Sequence, residues 1–166
     1  IYQCARNRHT LLLTAREQSC VFIFIPLKPD ELEKSVQDRF ARYEAIKENE
    51  TDAELYLTED CDILLCAFGA TARVVKSAVN MAREQGIKAG LLRPITVWPF
   101  PYKELAECTK GKKAILDVEA NEGQMMEDVR LAVEGAVPVE YLGHCGSLMP
   151  TVDEIKAKIL EIKEGK

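Results

Sequence analysis

Histidine, aromatics and paired cysteines are scarce in this sequence. There are two histidines, one tryptophan and 7% aromatics in 166 residues, and the six cysteines (4, 20, 61, 66, 108 and 145) form no C-x-x-C pair and no recurring His-Cys spacing. Local zinc and iron-sulfur motifs are therefore absent. Cys61 and Cys66 bracket one apolar strand, and the extended chain between them holds them far beyond disulfide reach, so a reducing, cytoplasmic compartment is expected. Long hydrophobic runs are missing too. Val21 to Ile25 ends at Pro26 and is much too short to span a bilayer, and no signal peptide is legible. The opening residue is Ile1 rather than Met, which suggests a fragment or processed product. Basic residues are scattered and outnumbered by acidic ones, 22 to 27, with only Lys110, Lys112 and Lys113 grouped. That excludes the electrostatic footprint of a nucleic-acid binder, and neither nucleic acid nor membrane is an expected partner.

What is present is an ordinary globular composition, 47% hydrophobic and 30% charged, on a chain of about one domain's length. In residues 1 to 26 the runs Leu11-Leu12-Leu13 and Val21 to Ile25 read as two strands of a hairpin joined by Thr14 to Cys20. From Pro29, Leu32, Val36, Phe40, Tyr43 and Ile46 recur at helical spacing, so a helix over about 29–49 should pack by one stripe. Asp62 to Phe68 is continuously apolar, as a strand covered on both faces should be. A helix with Val75, Ala78, Val79 and Ala82 on one side follows and stops at Gly86. The cycle repeats through strands at 88–92, 114–118 and 137–142 and helices at 101–108 and 124–134. Thr151-Val152-Asp153-Glu154 is a capping box opening a last helix with Ile155, Ile159 and Ile162 inward. Successive strand-helix units predict a three-layer α/β/α domain with a parallel sheet and right-handed crossovers.

Gly86, Gly111 and Gly135 should end helices along one edge. The loops at 69–71, 93–100, 119–123 and 143–150 follow strands and converge on the other edge, where open sheets place ligands and contacts. Gly69-Ala70-Thr71 has one glycine where a dinucleotide fingerprint needs three, and reads as a βα turn capped by Thr71. Arg93 could clamp a carboxylate or phosphate, or equally pair with Glu119. The segment Arg93-Pro94-Ile95-Thr96-Val97-Trp98-Pro99-Phe100-Pro101 is stiffened by its prolines. Trp98 and Phe100 could pack on their own helix or dock into a partner, and stiffness favours the partner. Glu119, Asn121, Glu122 and Gln124 put carboxylates and amides beyond a strand without a nearby His or nucleophile, which fits an interface better than acid-base catalysis. His144-Cys145 lies between two glycines, and adjacent residues in such a turn point apart, so a thiolate dyad is disfavoured.

Several strings carry a family resemblance: Ala67 to Arg73, Gly86 to Thr96, Trp98-Pro99-Phe100-Pro101 and Gly123-Gln124-Met125, with Pro29 to Glu33 and Tyr43 to Ile46 upstream. They resemble the alpha subunit of 2-oxoacid:ferredoxin oxidoreductases, in its transketolase C-terminal-like second domain, and most of all the 2-oxoisovalerate type, with the 2-oxoglutarate type close behind. The resemblance implies a mostly parallel five-stranded sheet with one antiparallel edge strand. It divides the chain into an N-terminal extension (1–27), a connector helix (28–50) and the α/β domain (51–166). It also implies a complex that decarboxylates a 2-oxoacid to an acyl-CoA using thiamine diphosphate, Mg, iron-sulfur clusters and CoA, and that reduces ferredoxin. The implied partners are the preceding domain of the same subunit, a thiamine-binding beta subunit, and gamma or ferredoxin-like subunits. The glycine-aspartate-glycine element of thiamine enzymes and the cluster cysteines are lacking here, so no catalytic, cofactor or metal residue is expected in the chain. Arg93, Pro94, Trp98, Phe100, Glu119, Asn121 and Gln124 are the expected contacts. The competing readings are a self-contained module holding phosphate or CoA at the Gly69 turn and Arg93, and the equivalent domain of another thiamine enzyme such as pyruvate dehydrogenase.

Overall fold

The computed structural model describes residues 2–4, 10–15, 18–23 and 28–165. The chain divides into two compact units, Ile1–Glu48 and Asn49–Lys166. In the first, β1 (Tyr2–Cys4), β2 (Thr10–Ala15) and β3 (Gln18–Ile23) form an antiparallel sheet in that order. The expected hairpin is there, but its strands run further than the sequence suggested. Thr14 pairs with Ser19 and Ala15 with Gln18, so residues read as a connection belong to the ladder. Phe24 and Ile25 lie outside the described residues.

Helix α1 (Pro29–Asn49) has its acidic pair Asp30 and Glu31 in the first turn and Lys47 in the last, both favourable to the helix dipole. Its apolar stripe departs from expectation: none of its residues is buried, Val36, Tyr43 and Ile46 are half-buried, and Phe40 is 58% exposed.

The second unit is a five-stranded sheet of order β4-β6-β5-β7-β8, from β4 (Ala53–Tyr56), β5 (Ile63–Cys66), β6 (Ala89–Pro94), β7 (Ala114–Glu119) and β8 (Val139–Gly143). All neighbours are parallel except β4, which runs antiparallel to β6 along the edge. The mostly parallel sheet with one reversed edge agrees with the expectation. Val137 falls outside β8, which starts just after Pro138, a residue with no N–H to give a ladder.

Helices α2 (Gly69–Glu84) and α5 (Val152–Glu164) cover one face of the sheet, while α3 (Tyr102–Cys108) and α4 (Gln124–Val133) cover the other. The strand period of two explains why β5 must be apolar throughout. Ile63 and Leu65 join Val75, Ala78 and Ile159 on one side, and Leu64 and Cys66 join Leu105 and Val129 on the other. Gly90 lets two backbones approach, since a Cβ there would stand 2.5 Å from the Leu57 carbonyl oxygen. Thr71 is not a cap. It is a buried residue within α2, whose N-cap is Phe68 without a side-chain cap bond.

The chain leaves β5 towards α2 on one face and leaves β7 towards α4 on the other. These two central strands therefore part at their carboxyl ends, the topological position where open sheets form a crevice.

Candidate functional site

At that crevice the β7 strand delivers Glu119, whose side chain is fully buried. Its carboxylate turns onto the start of α4: Oε1 accepts the Met125 and Met126 N–H groups at 3.0 Å each, and Oε2 accepts Met125 N–H and Asn121 Nδ2 at 2.9 Å. The chain's own anion thus fills the helix N-terminus where a ligand's phosphate could otherwise sit. Asn121 Oδ1 accepts the N–H groups of Gly123 at 2.7 Å and Gln124 at 3.1 Å, closing a side-chain turn. Gly123, at φ 88°, supplies the left-handed residue that this turn needs. The Tyr141 hydroxyl donates to the Asn121 carbonyl and ties the loop to β8.

Arg93 pairs not with Glu119 but with Glu54 of the edge strand, Nη1 to Oε2 at 3.1 Å. Glu54 also holds Lys76 at 2.7 Å, and these two cations keep its carboxyl below the usual range. Lys76 in turn stands 4.3 Å over the Tyr56 ring. The sequence offered no route to this cluster, because β4 is four residues long and shows no clear alternation.

The proline-stiffened segment sorts its side chains sharply. Pro94 and Phe100 are buried within the domain, Phe100 edge-on to Tyr102 at 5.0 Å. Ile95, Val97 and Trp98 are 48%, 55% and 55% exposed. Thr96 pins the loop between them: its Oγ1 donates to the Pro99 carbonyl at 2.9 Å and accepts the Asp52 N–H at 3.0 Å. The Trp98–Pro99 bond is cis. On another strand-end loop Leu148 and Met149 are also exposed, at 66% and 38%.

Between the loops after β5, β6 and β7 lies a cleft of about 220 Å³. Phe68, Val97, Phe100 and Met125 give it apolar walls, and Gln124 and Asp128 join the Glu119 and Asn121 loop as its polar lining. Asp128 accepts a hydrogen bond from the Tyr102 hydroxyl, which pushes the Tyr102 pKa up to about 12 and keeps it a donor. Neither residue was singled out by the sequence. Two residues before Glu119 on β7, Asp117 is fully buried, and neither carboxyl oxygen has a hydrogen-bond partner. Burial first, and the neighbouring Glu119 second, raise its pKa to about 9. Its one sequence signal is a charge inside the apolar run Ala114 to Val118.

His144 and Cys145 point to different partners. His144 Nε2 meets Glu154 of the α5 capping box at 3.1 Å, and the Cys145 thiol donates to Glu122 at 3.0 Å. The carboxylate raises the Cys145 pKa, the reverse of what a thiolate nucleophile needs. Among the described residues, Cys61, Cys66, Cys108 and Cys145 are free cysteines, no group of acids, histidines and cysteines is arranged to hold a metal, and no helix is long and apolar enough to cross a membrane.

Known proteins share this architecture. The chain is 43% identical over 133 residues to ketoisovalerate oxidoreductase subunit VorB of Methanothermobacter marburgensis, covering 80% of this chain and 38% of that subunit. It is 38% identical over 112 residues to 2-oxoglutarate synthase subunit KorA of the same organism, covering 68% and 30% respectively. It therefore spans less than two fifths of the length of these relatives. Among solved structures, a 2-oxoglutarate:ferredoxin oxidoreductase from Magnetococcus marinus superposes with a TM-score of 0.71 over 82% of this chain and 24% of that one, at 22% identity. A split-gene transketolase superposes with a TM-score of 0.56 over 67% of this chain and 41% of that one, at 18% identity. These two likenesses identify the fold. The family described as pyruvate:ferredoxin oxidoreductase core domain II matches residues 61–155, from Cys61 before β5 into the first turn of α5, and the chain belongs to that family.

Proposed function

We propose that this chain is a non-catalytic structural and subunit-contact domain of a 2-oxoacid:ferredoxin oxidoreductase. The complete complex oxidatively decarboxylates a 2-oxoacid, 2-oxoisovalerate in first place, to its acyl-CoA and passes the electrons to ferredoxin. Thiamine diphosphate, Mg, the iron-sulfur clusters and CoA are held by other parts of the complex, and the chain works in the cytoplasm. The preceding domain of the same subunit and the thiamine-binding subunit are the direct neighbours of its strand-end edge.

The observation that carries this reading is the pinned, exposed segment Ile95-Val97-Trp98, set on a loop that proline and Thr96 hold stiff. Rigid apolar groups in water cost little ordering entropy on docking, which suits a permanent interface. The polar groups of the same edge are engaged internally, Glu119 with α4 and Arg93 with Glu54. A self-contained CoA-binding module is less well supported. The cleft of about 220 Å³ is smaller than the roughly 300–1,000 Å³ of small-molecule sites, and Arg93 already has its carboxylate.

Co-purification of the chain with the thiamine-binding subunit tests the reading. Trp98→Ala combined with Val97→Ser should weaken assembly at least roughly tenfold, as loss of a central aromatic anchor does. Unchanged assembly would count against this edge.

A further inference from the structure

The cleft of the strand-end edge has a composition of its own. Its walls are Phe68, Val97, Phe100 and Met125, and its charged lining residues are carboxylates only, with no cation among them. Glu119 is occupied by three N–H groups of its own domain. Asp128 takes a single neutral donor, the Tyr102 hydroxyl, and no described cation forms an ion pair with it. A carboxylate in one cleft with the half-buried Phe68 ring, with no positive charge among the lining residues, is complementary to a cation that can also stack.

Size narrows the occupant. At about 220 Å³ the cleft exceeds the roughly 150 Å³ that accepts one benzene ring, yet is too small for a nucleotide or coenzyme. One long side chain fits. We infer that the cleft between Phe68, Phe100 and Asp128 is the seat of a single arginine side chain from the neighbouring subunit. The guanidinium stacks on the half-buried Phe68 ring and donates to Asp128, while its alkyl stem covers Val97. This rests on the proposed subunit-contact role and names the chemistry of the group that the edge receives. Arginine is preferred to lysine because its planar head matches both the Phe68 ring and the carboxylate, whereas an ammonium is strongly hydrated. Tyr102 steers Asp128 by occupying one of its oxygens.

The test uses the chain itself with methyl-labelled methionine, titrated with N-acetyl-arginine amide and, separately, with its neutral isostere N-acetyl-citrulline amide. The expected result is a saturable shift of the Met125 methyl signal with the arginine compound, at least roughly tenfold weaker with citrulline. Asp128→Asn should remove the difference between the two. Equal binding of both compounds, or no shift at Met125, overturns the inference, and the citrulline comparison on the unaltered chain keeps it falsifiable should Asp128→Asn fail to fold. The outcomes stay distinguishable from those of the subunit-contact role: a chain that loses assembly on Trp98→Ala and Val97→Ser, yet does not discriminate arginine from citrulline, discards only the arginine seat.

Discussion

A buried carboxyl with no partner is expensive when ionised, and Asp117 on the central strand β7 is such a group. Its folded pKa of about 9 lies far above the unfolded value of about 4, so between those limits the native state holds a proton that the unfolded chain has released. The unfolded state then binds fewer protons, and stability falls as pH rises. The favourable contribution is complete below about pH 4 and is lost progressively up to about pH 9, at about 1.4 kcal/mol per unit for a single uncoupled group. Asp117→Asn removes the titration. Urea unfolding should show the variant gaining on the parent by about 3 kcal/mol on going from pH 6 to pH 8, with the two differing least in acid. A pH-independent offset between the proteins would mean that Asp117 is already ionised when buried. By contrast Glu154 is held down to about 2 by its Thr151 and His144 contacts. Its contribution is present above about pH 4 and lost only as pH falls towards about 2, at the opposite end of the scale.

Elements of this fold were legible wherever one chemical signal decided the outcome. β5 is buried on both faces and reads as an unbroken apolar run, β7 as one interrupted only by Asp117 before it ends at Glu119, α2 shows its stripe through Val75, Val79 and Ala82, and the Thr151 box opens α5 as its residues say. Elements fixed by distant partners were not. β4 is a strand only because β6 lies beside it, and Glu119 looks like a loop residue until the chain turns and presents the α4 N–H groups to it. The two helix starts therefore make a comparison. The Thr151 cap is exposed, so Thr151→Ala should cost about 1 kcal/mol by chemical denaturation, because water replaces the lost acceptor. Glu119→Ala strands the buried Met125 N–H and should cost roughly 2–3 kcal/mol in the same measurement, with α4 amides exchanging faster than those of α2. Equal losses would show that the Glu119 contacts are no better than a solvated cap.

At the scale of the whole molecule the sequence placed the candidate contact residues at the carboxyl edge of the sheet, where they lie, but it could not divide them between inside and outside. The segment from Arg93 to Pro101 carries its apolar residues within a few positions of one another, so neither periodicity nor composition separates Phe100, which fills the core under α3 and α4, from Trp98, which faces out. That division gives the sharpest test of the domain as a scaffold whose surface and interior have different tasks. Phe100→Ala removes a ring from a packed cluster with Leu92, Leu105 and Met125, and should cost roughly 3–5 kcal/mol of folding stability. Trp98→Ala leaves that cluster intact and should change stability by less than about 1 kcal/mol, while weakening the proposed assembly with the thiamine-binding subunit. Thermal unfolding of the isolated chain and co-purification of the complex, run on both variants, separate the two effects. If Trp98→Ala unfolds the domain as readily as Phe100→Ala, the tryptophan belongs to the core and the contact edge must be sought on another face.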